Sequence, residues 1–288
     1  MPAHDIITAV PLAFDQDGAI DERGTREILE YVGGSGVQGA LILGTTGEFP
    51  ALSIEERNTV ARWACDVLRD QRVIVHVGAA SHYEIVQLIE GARAAGAREV
   101  AVLTPYYLPT PADEVYEFFR AVAAEARGLD VYAYIFRART GVPVDTHLMR
   151  RIAELPGVVG LKVSGEPLDL ISSFRQELPD DFVIYTGLDS DFAQAGAAGA
   201  DGVISGVASA FAKPFVEMRD ALKANDDTWV GRVQDDVDEV VSAIEGSPAR
   251  MRAVHRMAGR PVGGRRMPLP EPDAGTLAQL KRMLPRFH

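Results

Sequence analysis

The chain has 288 residues, of which 24% are charged, and its mean hydropathy of +0.00 is typical of a soluble globular protein with a full core. Its net charge of −12 disfavours binding to nucleic acid or to an anionic membrane, and its single cysteine, Cys65, excludes an internal disulfide or a cysteine-ligated metal cluster. The first residues lack the basic and apolar pattern of a signal peptide, and no apolar stretch is long enough to span a bilayer, so we expect a cytoplasmic protein without a membrane partner.

Short β-rich runs alternate with longer amphipathic runs along the first 225 residues. The predicted strands cover residues 6–10, 39–43, 73–77, 100–103, 131–135, 158–163, 183–186 and 202–205. The predicted helices cover residues 21–33, 53–68, 83–95, 113–126, 145–154, 168–177, 190–198 and 213–224, and a capping box of Ser53 and Glu56 begins the second. This alternation predicts a TIM (β/α)8 barrel over residues 1–225. A doubly wound open sheet is the alternative, but the glycine-rich turn that usually follows its first strand is missing.

Residues 226–288 have a different pattern, with helices predicted at 228–244, 248–257 and 275–284. A connector rich in proline and glycine covers residues 259–273. Because this tail is short and has little core material of its own, we expect a C-terminal helical extension that packs on the barrel.

The sixth predicted strand carries a lysine, Lys162, within the sequence G-V-V-G-L-K-V-S-G. Side chains alternate along a strand, so Val159, Leu161 and Val163 are predicted to share one apolar face, and Lys162 lies on the other face beside Gly160. A lysine in such a strand is unfavourable unless it is exposed, paired or neutral. An ammonium in water at a frayed strand end is the simpler alternative.

Other polar residues follow the strands at the end where a TIM barrel carries its chemistry. Thr45 and Thr46 lie in a turn after the second strand that could hold a small carboxylate through backbone N–H groups, although an ordinary turn explains the same residues. Tyr107 follows the fourth strand, and Tyr134 and Arg139 come at or after the end of the fifth. The scattered histidines and carboxylates form no convincing metal site, and His76, within a strand, is expected to be a hydrogen-bonded core residue.

Four motifs in this order resemble one known family. G-T-T-G-E at 44–48, P-Y-Y at 105–107, Tyr134 with R-T-G at 139–141, and G-L-K at 160–162 are similar to the Schiff-base lyase superfamily of dihydrodipicolinate synthase and N-acetylneuraminate lyase. The resemblance covers about the first 225 residues, and the helical tail also suits that family. It implies that Lys162 forms a Schiff base with pyruvate or another 2-oxo acid. It also implies that Tyr134 is the acid and base, hydrogen-bonded to Thr46, and that Thr45 and Thr46 hold the carboxylate.

The resemblance implies further roles and an assembly. Tyr107 matches a tyrosine that reaches the site of the adjoining subunit, so a homo-oligomer, dimer or tetramer, is expected. Arg139 matches an arginine that orients an acidic second substrate, and Gly187 and Ile204 match positions near the pyruvate. No cofactor is expected.

The second-substrate half of the pattern departs from dihydrodipicolinate synthases. Their usual Y-N-V-P-x-R-T-G is Y-I-F-R-A-R-T-G here, Leu108 and Ser209 each replace an asparagine, Val163 an acidic residue, and Leu188 the first aspartate of G-D-D. We therefore predict a Schiff-base lyase that condenses a 2-oxo acid with an aldehyde or cleaves such a product. A dehydratase or aldolase of 2-keto-3-deoxy sugar acids is one alternative, and a non-catalytic barrel that binds a small acid is another.

Overall fold

The computed structural model describes residues 4–288. Eight parallel strands pair in chain order, and the eighth pairs with the first, so the sheet closes into the predicted (β/α)8 barrel. The strands are β1 (Asp5–Ala9), β2 (Gly39–Ile42), β3 (Arg72–His76), β4 (Glu99–Leu103), β5 (Asp130–Ile135), β6 (Val158–Val163), β7 (Val183–Thr186) and β8 (Gly202–Ser205).

Helices follow the strands and continue into the tail. They are α1 (Glu22–Gly34), α2 (Ile54–Val67), α3 (His82–Ala94), α4 (Ala112–Glu125), α5 (Arg137–Thr140), α6 (Thr146–Ala153), α7 (Leu168–Glu177), α8 (Phe192–Ala197), α9 (Lys213–Ala224), α10 (Asp227–Ile244), α11 (Pro248–Met257) and α12 (Ala274–Phe287). Every predicted helix is present, and the Ser53–Glu56 capping box begins α2. The four-residue α5 was not predicted because it is too short to show a helical period.

Two apolar layers make the core. Side chains inside the barrel form one cluster, Ile7, Ala9, Leu41, Ile74, Ala101, Tyr132, Tyr185 and Ile204. A much larger cluster fills the space between the strands and the helices, and it includes Val237 of α10 and Leu280 and Phe287 of α12. The tail therefore buries its apolar side chains in the same cluster as the barrel helices, while a domain boundary at residue 225 stays a prediction.

One predicted strand face is wrong. Leu161 and Val163 face the outer cluster as expected, but Val159 packs against the cluster inside the barrel. The pairing of β5 with β6 shifts between Val131 and Tyr132, which gives β6 one extra residue at this point. Such a bulge interrupts the strict alternation of side chains on which the prediction rested.

The amino-terminal end of the barrel is closed by a charged network around Arg72. Its guanidinium donates to both carboxylate oxygens of Glu99, at 3.1 and 2.6 Å, and to Asp5 at 3.3 Å. It also donates to the hydroxyl of Tyr185 at 2.6 Å and that of Tyr132 at 2.9 Å. The hydroxyls of Tyr132 and Tyr185 are therefore held at the amino-terminal end, and their rings fill the inside of the barrel.

Candidate active site

Lys162 lies one residue before the carboxyl end of β6, where the barrel opens. The strand register sets it beside Tyr134 on β5 and Tyr185 on β7. Its side chain is only 6% exposed, and its Nζ lies 4.5 Å from the centroid of the Tyr134 ring. The alternative of a frayed, solvated lysine is therefore wrong. A buried amine packed against a phenol at a barrel mouth is placed where a nucleophile is needed.

The hydroxyl of Tyr134 meets the turn after β2. Tyr134 is 2% exposed, and its oxygen lies 3.5 Å from Oγ1 of Thr45. The predicted hydrogen bond to Thr46 is wrong. The residues from Thr45 to Gly47 form a 3-10 turn, in which successive side chains point about 120° apart, so only one threonine faces the phenol. Thr46 instead directs its Oγ1 towards β8, 3.2 Å from the position that a Cβ on Gly206 would take.

The same turn presents backbone donors. The N–H groups of Gly47 and Glu48 donate to the carbonyls of Gly44 and Thr45, both at 3.1 Å. Over residues 4–288, the N–H groups of Thr45 and Thr46 have no such intramolecular acceptor. Two free N–H groups and two hydroxyls in one turn can bind a carboxylate.

Gly187 and Ile204 belong to neighbouring strand ends. Gly187 follows β7 and donates its N–H to the carbonyl of Val163 at 2.6 Å. A Cβ on Gly187 would lie 2.2 Å from Oγ of Ser164 and 3.1 Å from the carbonyl oxygen of Val163, so this backbone approaches the end of β6 closely. Ile204 on β8 is 2% exposed and belongs to the apolar cluster inside the barrel.

Arg139 and Tyr107 are not brought into the buried site within one chain. Arg139 lies exposed on α5, with its Cζ 5.7 Å from the ring of Phe136, and in the described part of the chain neither it nor the exposed Arg137 pairs with a carboxylate. Tyr107 is 90% exposed, and its φ of 82° is a backbone conformation that non-glycine residues rarely adopt. Both side chains are available to a ligand or to another subunit.

Asp189 is a further polar group, next to Leu188, which departs from the family pattern. Although the residue is partly exposed, its Oδ1 is buried and has no hydrogen-bond partner within residues 4–288. Burial raises the pKa of this carboxyl to about 6, against the lowering effects of a hydrogen bond from Ser205 and of the charge on Lys162. In the sequence, only its position two residues after Gly187 indicated that Asp189 could belong to the site.

His76 is a core residue, as predicted. It is fully buried, its Nδ1 lies 3.0 Å from the carbonyl of Leu43, and its Nε2 accepts the N–H of Leu103 at 3.3 Å. Burial holds its pKa well below the usual value, so the ring is neutral. Over residues 4–288, no cluster of three or more His, Cys, Asp or Glu side chains could hold a metal ion, and no helix is long and apolar enough to cross a membrane.

Comparison with known proteins gives a consistent result. The sequence pattern of the Dihydrodipicolinate synthetase family matches residues 2–286. The chain is 27% identical to a 4-hydroxy-tetrahydrodipicolinate synthase from Desulforamulus reducens, covering 98% of this chain and 97% of the relative. It is 30% identical to an N-acetylneuraminate lyase from Escherichia coli strain SE11, covering 83% of this chain and 80% of the relative.

A solved structure extends the likeness to the fold. A prophage protein of the dihydrodipicolinic acid synthase family from Escherichia coli K12, determined in complex with pyruvate, superposes with a TM-score of 0.90. Its identity is 26%, and 98% of each chain is covered. The family match and the names of the relatives confirm the predicted lyase class. The chain is therefore a lyase that belongs to the dihydrodipicolinate synthetase family.

Proposed function

We propose that Lys162 forms a Schiff base with a 2-oxo acid of the pyruvate type, which the enzyme then adds to an aldehyde or releases from such an adduct. The observation that carries this proposal is the buried amine of Lys162, 4.5 Å from the ring of Tyr134 at the carboxyl end of the barrel. The pyruvate bound in the related structure from Escherichia coli K12 supports the substrate class.

The residues divide the chemistry between them. The neutral amine of Lys162 attacks the ketone carbon, and loss of water from the resulting carbinolamine gives the imine. Loss of a proton from the adjacent carbon gives an enamine, whose carbon attacks the aldehyde. The hydroxyl of Tyr134 transfers these protons in this proposal, and its distance of 3.5 Å from Oγ1 of Thr45 supports that role. The protonated imine is itself the electron sink, so this sequence requires no cofactor.

The 2-oxo acid is oriented by the walls of the mouth. The hydroxyls and free N–H groups of Thr45 and Thr46 bind its carboxylate, and the charge-assisted hydrogen bonds fix which face of the ketone meets Lys162. Gly187 brings backbone close to the end of β6, and Ile204 forms the apolar floor.

The second substrate carries an acidic group in this proposal. Arg139 is exposed beside the site and has no carboxylate partner in the described chain, so a bidentate contact to the substrate is open to it. The ring of Phe136, 6.1 Å from that of Tyr134, adds an apolar surface next to the same place. The substrate class is therefore an aldehyde with both an acidic group and an apolar portion.

An assay with pyruvate and paired aldehydes, with and without a carboxylate, tests this proposal. We expect turnover that depends on pyruvate and favours the acidic aldehydes, and we expect Arg139→Ala to raise KM for them about 10-fold or more while imine formation with pyruvate persists. Turnover of 3-deoxy-2-keto sugar acids without an aldehyde would identify a dehydratase instead. A folded protein that binds 2-oxo acids but turns over none of them would be the non-catalytic barrel that binds a small acid.

We also propose that the protein is a homo-oligomer, a dimer or tetramer, in which Tyr107 reaches the adjoining site. Its 90% exposure and the 68% exposure of the following Leu108 support this proposal. Sedimentation at assay concentration measures the assembly, and an active monomer contradicts it. Tyr107→Phe, which keeps the ring, should lower turnover with little effect on binding of the 2-oxo acid. A cytoplasmic location stays a prediction.

A further inference from the structure

A buried carboxylate joins the turn after β2 to the C-terminal tail. Glu48 is fully buried, and its Oε1 accepts from Nη1 of Arg252 on α11, whose side chain is only 1% exposed. Its Oε2 accepts the backbone N–H groups of Arg266, at 3.2 Å, and Met267, at 2.6 Å, in the connector before α12. One side chain is therefore held by a helix and by a connector that both lie outside the barrel.

The backbone of Glu48 is part of the turn that presents the threonines. Glu48 ends the 3-10 turn by donating its N–H to the carbonyl of Thr45 at 3.1 Å, and its φ of 55° lies in the left-handed region. That conformation is unfavourable for a residue with a Cβ and persists where surrounding contacts impose it. Contacts of both its backbone and its carboxylate surround this residue: its N–H and carbonyl bond within the loop, and its carboxylate bonds to the tail.

The same helix of the tail also approaches Gly206, the glycine towards which Thr46 points. A Cβ on Gly206, just after β8, would lie 2.8 Å from Cε of Met251 on α11 and 3.2 Å from Oγ1 of Thr46. Met251 precedes Arg252 on α11, so this helix lies beside Gly206 as well as beside Glu48.

We propose that Glu48 is a positioning residue: by joining the turn of Thr45 and Thr46 to Arg252 and to the connector, it fixes the hydroxyls and N–H groups that bind the carboxylate of the 2-oxo acid. This inference rests on the proposed function for the role of the turn. The tail thereby becomes part of the site without contributing a side chain that touches substrate.

Hydrogen exchange in the ligand-free protein tests the positioning without the reaction. The reporters are the N–H groups of Gly47 and Glu48, which close the turn. Glu48→Gln keeps the shape of the side chain and removes its charge. We expect the N–H groups of residues 47 and 48 to exchange at least about tenfold faster in this variant than in the wild type.

Glu56→Gln is the matched control because Glu56, at the start of α2, is another carboxylate that binds the same connector. Glu56 accepts two hydrogen bonds from the guanidinium of Arg266, at 2.7 and 2.6 Å, but does not touch the turn. Glutamine still closes the capping box of α2, so the helix is preserved. Exchange at residues 47 and 48 should change less than about twofold in this control.

Steady-state kinetics provide the second measurement. Glu48→Gln should raise KM for the 2-oxo acid about tenfold and KM for the aldehyde less than about twofold, whereas Glu56→Gln should change neither. Arg252→Lys keeps a cation next to Glu48, so its KM for the 2-oxo acid should lie between those of the wild type and Glu48→Gln. This variant supplies the comparison if Glu48→Gln does not fold.

Equal exchange in the two glutamine variants, or equal increases of both KM values in Glu48→Gln, would overturn the inference. Failure of the proposed function looks different. Faster exchange in Glu48→Gln alone, in a protein whose wild type binds no 2-oxo acid, would support the positioning role and refute the proposed function.

Discussion

The two ends of the barrel differ in how completely their charged side chains are paired. At the amino-terminal end, Arg72 contacts two carboxylates and two phenols, so its guanidinium is fully compensated. At the carboxyl end, within the described chain, Arg139 has no ion pair and Oδ1 of Asp189 has no hydrogen bond. The first end stabilises the fold, and the second leaves polar groups to be satisfied by a ligand.

The free energy of burying polar groups explains why unpaired groups at one end of the barrel indicate a functional site. A buried polar group without a partner is unfavourable, so such groups are retained where a ligand or a reaction completes them. A compensated network has little to offer a ligand, and it loses stability when one member is removed. Substitutions at the two ends should therefore separate activity from stability.

Lys162→Arg should have the largest effect, at the carboxyl end. Arginine keeps a cation but cannot act as a neutral amine, so we expect kcat to fall by at least about 10³-fold with little change in the unfolding midpoint. Lys213→Arg is the control, since Lys213 is a surface lysine 3.9 Å from Glu217 on α9, and its kcat should stay within about twofold. Steady-state kinetics and thermal unfolding of both variants measure the effects, and an active Lys162→Arg variant would contradict the assignment.

Arg72→Met should give the converse result at the amino-terminal end. Removing the guanidinium leaves Glu99 and Asp5 partly buried without their partner, so we expect a loss of about 3 kcal/mol in the free energy of unfolding. The kcat of the folded fraction should be unchanged. Arg139→Met, the matched change at the other end, should alter stability by less than about 0.5 kcal/mol. Urea denaturation measures both variants, and equal losses would remove the distinction between the ends.

Asp189→Asn should give the smallest effect, and one that depends on pH. The folded-state pKa of Asp189 is raised to about 6 from an ordinary value of 3.8, so ionisation of the buried carboxyl lowers stability as pH rises from about 4 through 6. Asparagine cannot ionise, so the variant should be more stable than the wild type by about 2 kcal/mol above pH 7. One pKa unit corresponds to about 1.4 kcal/mol, and the expected gain is reduced because solvent screens a partly exposed residue. Urea denaturation at pH 4 and pH 7.5 provides the comparison; a difference that does not change with pH would contradict the assigned pKa.

The sequence predicted the architecture because strand and helix periods are local properties. It also predicted the buried lysine, since Lys162 follows Gly160 in an apolar strand and the resemblance supplied a reason for its burial. The face of Val159 was mispredicted because a bulge depends on the register with the neighbouring strand.

The details of the site depended on contacts that sequence spacing does not contain. Which threonine meets Tyr134 is decided by the direction of each side chain in a three-residue turn. The pair of Glu48 and Arg252 joins residues 204 positions apart, and no local pattern indicates it.

Trapping of the imine tests the central claim most directly. Borohydride added with pyruvate should reduce the Schiff base to a stable amine, raise the intact mass by one reduced pyruvyl group per chain, and place the adduct on Lys162 in peptide mapping. Borohydride alone should leave the mass unchanged, and Lys162→Arg should trap nothing. Folded wild-type protein that traps neither pyruvate nor any other 2-oxo acid, or that carries the adduct on a different lysine, would contradict the account.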